Sequence, residues 1–254
     1  MYFCHLKFIT MMGGDLMKKE RIRELNQRLK DAEPQEVLRY LLSEFGKKMV
    51  FATSLGAEDQ VLIHMISEID PSVTVFTLDT GRIFPETYDL IERTEGKYDI
   101  RIRILFPDRE RVEEMVKERG INLFYRSIEN RELCCQIRKN DPLKRALNDY
   151  DVWICGLRRE QSRHRSVNEL VEWDDQHQMI KVNPLINWTS DQVWEFIKSH
   201  TIPYNVLHDK GYPSIGCQPC TRAVIPGEDF RSGRWWWEKS DHKECGIHRK
   251  PDKK

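Results

Sequence analysis

The chain has 254 residues and 41 Lys+Arg against 41 Asp+Glu, a formal net charge of zero, which excludes a broadly basic nucleic-acid-binding or membrane-surface protein while leaving local patches open. Hydrophobic residues make up 39% and charged residues 32%; no run approaches the roughly 18 apolar residues of a membrane span, so a soluble, cytoplasmic protein with one large domain is expected, with no nucleic acid and no membrane among its partners. The cysteine count is seven, and an odd number rules out a fully paired disulfide framework.

The first residues, MYFCHLKFI, are too short for a signal peptide and lack a small-residue cleavage site. Met11, Met12 and Met17 are alternative starts, so 1–16 reads as an N-terminal extension. Ile22, Leu25 and Leu29 lie on one face of a first helix; Val37, Leu38, Leu41, Leu42 and Phe45 line a second, closed by Gly46. Met49–Thr53 reads as a buried strand and Ala57–Ile69 as a helix. Val73–Leu78 is a second strand, followed by a helix opening at Pro85. Arg101–Phe106 is a third strand, Arg109–Arg119 a helix ended by Gly120, Asp151–Cys155 a further strand, and Gln178–Val182 another. Thr189 and Gln192 form a capping box for a helix reaching His200. This alternation predicts an α/β fold with a doubly wound, mostly parallel sheet. The expected division is an α/β domain over 17–221 and an irregular tail over 222–254, rich in Gly, Pro and aromatics.

In such sheets ligands sit outside the carboxyl ends of the strands. The first of these turns reads Ser54-Leu55-Gly56-Ala57-Glu58-Asp59, a small-residue loop entering a helix, whose backbone N–H groups suit a phosphate or sulfate. It is neither a Walker A loop nor a GxGxxG fingerprint, and a plain strand-to-helix turn is the alternative. The second turn, Leu78-Asp79-Thr80-Gly81-Arg82, borders the same crevice. After DVWIC come Gly156 and then Arg158, Arg159, Arg163, His164 and Arg165, an anion clamp by position or else a solvated basic loop.

The cysteines carry more specific chemistry. Cys134 and Cys135 are adjacent, and Cys217 and Cys220 form a CxxC. Directly adjacent cysteines diverge, which suits the separated corners of a [4Fe-4S] cluster better than one zinc ion, although zinc and redox disulfides stay open. Cys245, beside Lys243 and three residues before His248, has the setting of a nucleophilic thiolate or of an incidental surface cysteine. Cys155 lies in an apolar strand and reads as a small core residue.

Taken together, SLGAED, LDTGRIFPETY, CC-x2-RK, GLRREQSRHR, CxxC and the terminal ECGIH resemble the iron–sulfur type of assimilatory adenylyl-sulfate (APS) reductase, within the phosphoadenylyl-sulfate (PAPS) reductase group. The resemblance runs from about Lys48 to His248 and implies a PP-loop adenine nucleotide α-hydrolase fold. It implies that Cys245 attacks the sulfate sulfur, that AMP leaves, and that thioredoxin or a glutaredoxin-like donor releases sulfite from the cysteine S-sulfonate. It further implies that Cys134, Cys135, Cys217 and Cys220 hold the cluster. Lys139 would lie between cluster and substrate, and Arg231, Arg234 and His248 would bind substrate. Ser54, Gly56, Asp79, Thr80 and Gly156 fall in the nucleotide-binding turns, with Arg158, Arg163 and Arg165 in the basic loop. The four-cysteine set favours APS over PAPS; a dual-substrate enzyme, a PP-loop ATP pyrophosphatase or tRNA-thiolating enzyme, and a metal-stabilised binding module are the alternatives. Homo-oligomerisation is left open.

Overall fold

The computed structural model describes residues 3–162, 165–238 and 247, with side chains from Leu16 onward. Six strands, β1 (Met49–Thr53), β2 (Thr74–Leu78), β3 (Ile102–Leu105), β4 (Val152–Ile154), β5 (Val171–Asp174) and β6 (Met179–Val182), form one sheet in the order β3-β2-β1-β4-β6-β5. All neighbours are parallel except β5, which pairs antiparallel with β6. The chain steps outward from β1 to β3 and then returns to β4 on the other side of β1. The topological switch point therefore lies between the carboxyl ends of β1 and β4, where ligands collect in open α/β sheets.

The strands are nearly continuous apolar runs because helices cover both faces. Phe51, Val75, Val152 and Ile154 point into the larger core. It is shared with α1 (Phe3–Leu29), α2 (Pro34–Phe45), α3 (Ala57–Ile69), α4 (Pro85–Tyr98) and α8 (Ser190–Ser199). Val50, Phe76 and Trp153, one residue out of phase, pack on the opposite face with Leu143 and Leu147 of α7 (Asp141–Leu147). A third cluster joins Met115 of α5 (Arg109–Arg119) to Phe124, Ile137, Cys220 and Trp235. It lies beneath α6 (Ile128–Cys135), whose last two residues are the adjacent cysteines.

The predicted elements stand within one residue of their observed ends, and the chain differs from expectation in four places. α1 is one unbroken helix from Phe3, running through the stretch read as an extension. Its Asn26 side chain pairs with both backbone groups of Val171, at 2.8 and 3.0 Å, and so occupies part of the exposed edge of β5. The short strand β5, sequence VEWD, was not assigned from the sequence, although its apolar–acidic alternation has the period of two of a half-buried strand. α6 and α7 follow one another through a π-helical turn at Gln136–Asn140; α6 is mostly polar and α7 is too short for a clear 3.6-residue period. No described helix is long and apolar enough to cross a membrane.

The predicted capping box is present: Gln192 N–H donates to Thr189 Oγ1 at 3.2 Å, and Thr189 N–H donates to Gln192 Oε1 at 2.8 Å. Thr189→Ala should cost about 1 kcal/mol, read as a fall in the urea midpoint with an unchanged slope. An unchanged midpoint would show that the cap contributes nothing.

Candidate active site

A cavity of about 220 Å³ opens at the switch point. Ser54 and Gly56 border it from the turn after β1, Thr80 from the turn after β2, and Gly156 from the turn after β4. Arg165, Arg231, Arg234 and Lys139 bring positive charge to its walls, with Arg231 and Arg234 supplied by the tail that sequence reading assigned to substrate. All three arginines are buried. The Arg234 Nη1 donates to Ile215 O at 3.3 Å, while its Nε is buried with no hydrogen-bond partner among the described residues. Buried guanidinium donors are costly unless an anion or acceptor completes them, so the wall is suited to a polyanionic ligand.

The turn after β1 owes its shape to Asp59, which sequence reading did not single out. Ser54 donates to the Asp59 carboxylate from both N–H and Oγ, the latter at 2.7 Å. Leu55 adopts φ 61°, an uncommon conformation for a branched residue, with its side chain locked in the core. The bonded carboxylate thus turns the loop so that its small residues face the cavity. Burial pushes the Asp59 carboxyl up to about 6, against the lowering effect of the Ser54 bonds. Its protonated form is therefore the one folding favours. That contribution is fully present below the unfolded value near 3.8 and is lost as pH rises through about 6. In Asp59→Asn this segment of the stability–pH profile should flatten; an unaltered profile in denaturant titrations from pH 4 to 7 would refute the assignment.

Gly156 meets the same carboxylate. A Cβ there would overlap Asp59 Oδ1, so glycine lets β4 approach the β1 turn. Gly156→Ala should cost about 1–3 kcal/mol. A variant with a wild-type thermal midpoint would show that the close approach is unnecessary. Gly216 plays a matching part at the other wall, where a Cβ would overlap the Arg234 guanidinium.

Two of the residues expected to contact substrate do not border this cavity. Arg158 is 2% exposed and does not border the cavity. Its Nε donates to Glu58 Oε1 at 2.8 Å, and Nη1 approaches Glu160 and Trp188 O at 3.3 Å. Burial without that carboxylate would be prohibitive, so the arginine is used to fix the loop to α3. Asp79 is likewise absent from the wall: its carboxylate accepts from Gly81 N–H and Tyr88 O–H, both at 2.7 Å, and shapes the β2 turn. A run of charges in sequence does not tell which member faces inward. Arg165 does reach the cavity and contacts Gln161. Arg163, Cys245 and His248 lie outside the described residues.

Four of the five described cysteines, Cys134, Cys135, Cys217 and Cys220, border one smaller cavity, together with Arg82, Arg131, Arg138 and Lys139. Cys134 and Cys135 come from the end of α6, and Cys217 and Cys220 from a 3₁₀ turn at Gln218–Cys220. The π-helical turn after Cys135 presents Lys139 to this cavity and to the larger one at once. Cys217 is the second shared wall, and Thr80 Oγ1 lies 3.2 Å from its sulfur. Burial pushes the Cys217 thiol up, but Lys139, the Thr80 bond, Arg234 and Arg138 together hold it below the usual thiol range. Burial pushes Cys220 up to about 12. No three His, Cys, Asp or Glu among the described residues are placed to hold a single metal ion. Cys155 is buried at the floor of the larger cavity, its thiol raised by burial, as its strand position implied. Ile247 rests against the apolar wall that includes Cys155, Trp153 and Leu157. Of the three consecutive tryptophans, Trp235 is buried in the core and Trp236 is exposed.

Sheet order, a switch-point cavity and walls lined by Lys139, Arg165, Arg231 and Arg234 define an α/β protein with a site suited to a small polyanion. The model of the phosphoadenosine phosphosulfate reductase domain matches residues 48–223, and the chain belongs to that family. It is 48% identical over 213 residues to the adenosine 5′-phosphosulfate reductase of Allochromatium vinosum, covering 83% of each chain. It is 47% identical over 216 residues to the enzyme of that name from Burkholderia cepacia, covering 84% of this chain and 86% of the relative. The crystal structure of a PAPS reductase from Candida auris in its phosphate complex superposes with a TM-score of 0.69 at 32% identity, over 81% of this chain and 97% of that one. An FMN adenylyltransferase from Candida glabrata, at a TM-score of 0.54 and 15% identity over 79% of this chain and 66% of that one, shares the fold alone.

Proposed function

We propose that the chain reduces adenylyl sulfate to sulfite and AMP in sulfate assimilation, through a Cys245 S-sulfonate and with a thioredoxin-like dithiol as reductant. One observation carries the reading: the cation-lined cavity at the switch point shares Lys139 and Cys217 with a cavity bordered by four cysteines. The relatives named above are adenosine 5′-phosphosulfate reductases, which favours APS over PAPS, and the terminal ECGIH supplies the nucleophile.

The chemistry follows from charge. The sulfate sulfur is shielded by its oxygens, and a thiolate approaches only if that negative charge is masked. Arg231, Arg234 and Lys139 supply fixed positive charge, and the N-terminus of α3 adds its dipole. The Cys245 thiolate attacks the sulfur and the bond to the phosphate oxygen breaks, so AMP leaves. A donor thiolate then attacks Cys245 Sγ and sulfite departs with the electron pair of the broken S–S bond. The donor's second thiol resolves the mixed disulfide. Two electrons leave the dithiol and two reduce sulfate sulfur to sulfite.

The donor chemistry of the cysteine set suits a [4Fe-4S] cluster: four thiols on two separate elements border one cavity, and basic side chains surround it. Cys134, Cys135, Cys217 and Cys220 would hold it, and when bound it would supply a fixed electrostatic neighbour for Lys139. Incubation with APS and reduced thioredoxin should yield equal amounts of AMP and sulfite. Inertness there combined with ATP cleavage would replace this reading with that of a PP-loop pyrophosphatase, and a colourless protein holding one zinc would overturn the cluster.

A further inference from the structure

Arg234 is 6% exposed, yet it is held unlike Arg158 and Arg131. Arg158 is paired with Glu58 and Arg131 with Glu238, each at 2.8 Å. Among the described residues Arg234 meets no carboxylate: its Nη1 donates to Ile215 O at 3.3 Å and to Ser214 Oγ at 3.5 Å, and its Nε has no partner. Those bonds are long, and a buried cation needs more compensation than they give. The Trp235 ring supplies it. The Arg234 guanidinium lies over the indole, 4.8 Å from its centroid, within the range of a cation–π contact.

The contact is built into the backbone. In extended chain, neighbouring side chains point to opposite faces, but Trp235 adopts φ 42°, in the left-handed region, an outlier for so large a residue. Such a conformation persists where its surroundings over-determine it. Trp235 N–H donates to Cys220 O at 3.1 Å, and Arg222 N–H donates to Gly233 O at 3.0 Å, which ties residues 233–235 to the chain at the end of the CxxC. From the cysteine wall, the Arg131 guanidinium also lies 4.8 Å from the indole centroid, and its Nε bond to Glu238 keeps it there. Gly216 leaves the space that the Arg234 guanidinium fills, since a Cβ there would overlap it. Ring, glycine and left-handed turn therefore converge on one cationic group of the substrate wall.

A carboxylate would hold a guanidinium as firmly, but it would offset the charge. Arg158 shows that outcome: bound to Glu58, it does not border the cavity. We propose that Trp235 is a positioning residue for the substrate anion: its π face fixes the Arg234 guanidinium at the cavity wall and leaves the positive charge unneutralised for a phosphate or sulfate oxygen. This rests on the substrate reading given under Proposed function.

The test replaces Trp235 alone by tryptophans carrying increasing numbers of ring fluorines. Fluorine withdraws electron density from the π face and nearly preserves the ring's shape, so packing and the left-handed turn are kept. AMP is the probe; adenosine, which lacks the phosphate, is the control, and both affinities are measured by calorimetry. AMP affinity should fall stepwise, reaching a loss of about 3- to 30-fold in the most fluorinated variant, the span of a cation–π contact. Adenosine affinity should stay within about twofold of wild type, because it brings no anion to the guanidinium, and the thermal midpoint should not fall. A ring that only packs predicts an AMP affinity independent of fluorine number, and that result overturns the proposal. Parallel losses for AMP and adenosine also overturn it, because they report a distorted cavity rather than a displaced charge. Failure of the wild type to bind AMP is a distinct result, which removes the substrate reading and this inference together.

Discussion

Cys245→Ser should abolish turnover, a loss of about 10⁴-fold or more, because no described thiol is free to replace it under the proposed mechanism. Cys155 borders the larger cavity but is buried, with its thiol raised by burial, and a neutral buried thiol is a poor nucleophile. Cys134, Cys135 and Cys220 border the smaller cavity and Cys217 both, and all four would be occupied as ligands of the proposed cluster. The serine variant should bind AMP with wild-type affinity, since the walls formed by Ser54, Thr80, Arg231 and Arg234 are untouched. It should also retain the visible absorbance that the proposed cluster would give, and APS without reductant should add a sulfonate mass to Cys245 in the wild type and to no residue in the variant. Residual turnover above a hundredth of wild type, or a sulfonate on another cysteine, would mean that the attacking group has been misassigned.

The sheet was legible because its strands are apolar runs placed between helices with clear 3.6-residue faces, and the turns at the strands' carboxyl ends followed from that alternation; the strand order that sets the switch point did not. Hydrophobic period carries no information about hydrogen bonding, and two residues show it. Asp79 and Arg158 sit where a nucleotide-binding turn and an anion clamp were expected, yet both are consumed by neighbours, Tyr88 and Gly81 for one and Glu58 for the other. Asp59 was invisible for the converse reason: an acid in the first turn of α3 looks like a dipole-stabilising surface residue, and only the tertiary approach of Gly156 shows that it is buried. The two cysteine pairs border one cavity, which their spacing did not show. The placement of Lys139 beside them follows from the π-helical turn at Gln136–Asn140, which a run of polar residues does not advertise.

Lys139 is where that turn has its largest consequence. A regular helix would advance 100° per residue past Cys135, and the wider turn changes which face the following residues occupy. The result is a lysine bordering both cavities, within electrostatic reach of Cys217, Cys134 and Cys220. In a water-poor wall a fixed ammonium stabilises charge that develops on a sulfate oxygen or on the departing phosphate far more than it would in water. Lys139→Ala should therefore lower the sulfonation rate by about 10²–10³-fold, the cost of losing one preorganised donor, with a smaller change in AMP affinity because Arg231 and Arg234 still bind the ground state. Lys139→Arg should recover part of the rate only, since a planar guanidinium replaces a compact charge at a site shared by two walls. Because the four cysteines remain, visible absorbance should persist in both variants. A Lys139→Ala enzyme that loses its colour would make the lysine a structural support of the cysteine cavity, and one that keeps colour and full rate would leave the masking of sulfate to the arginines alone.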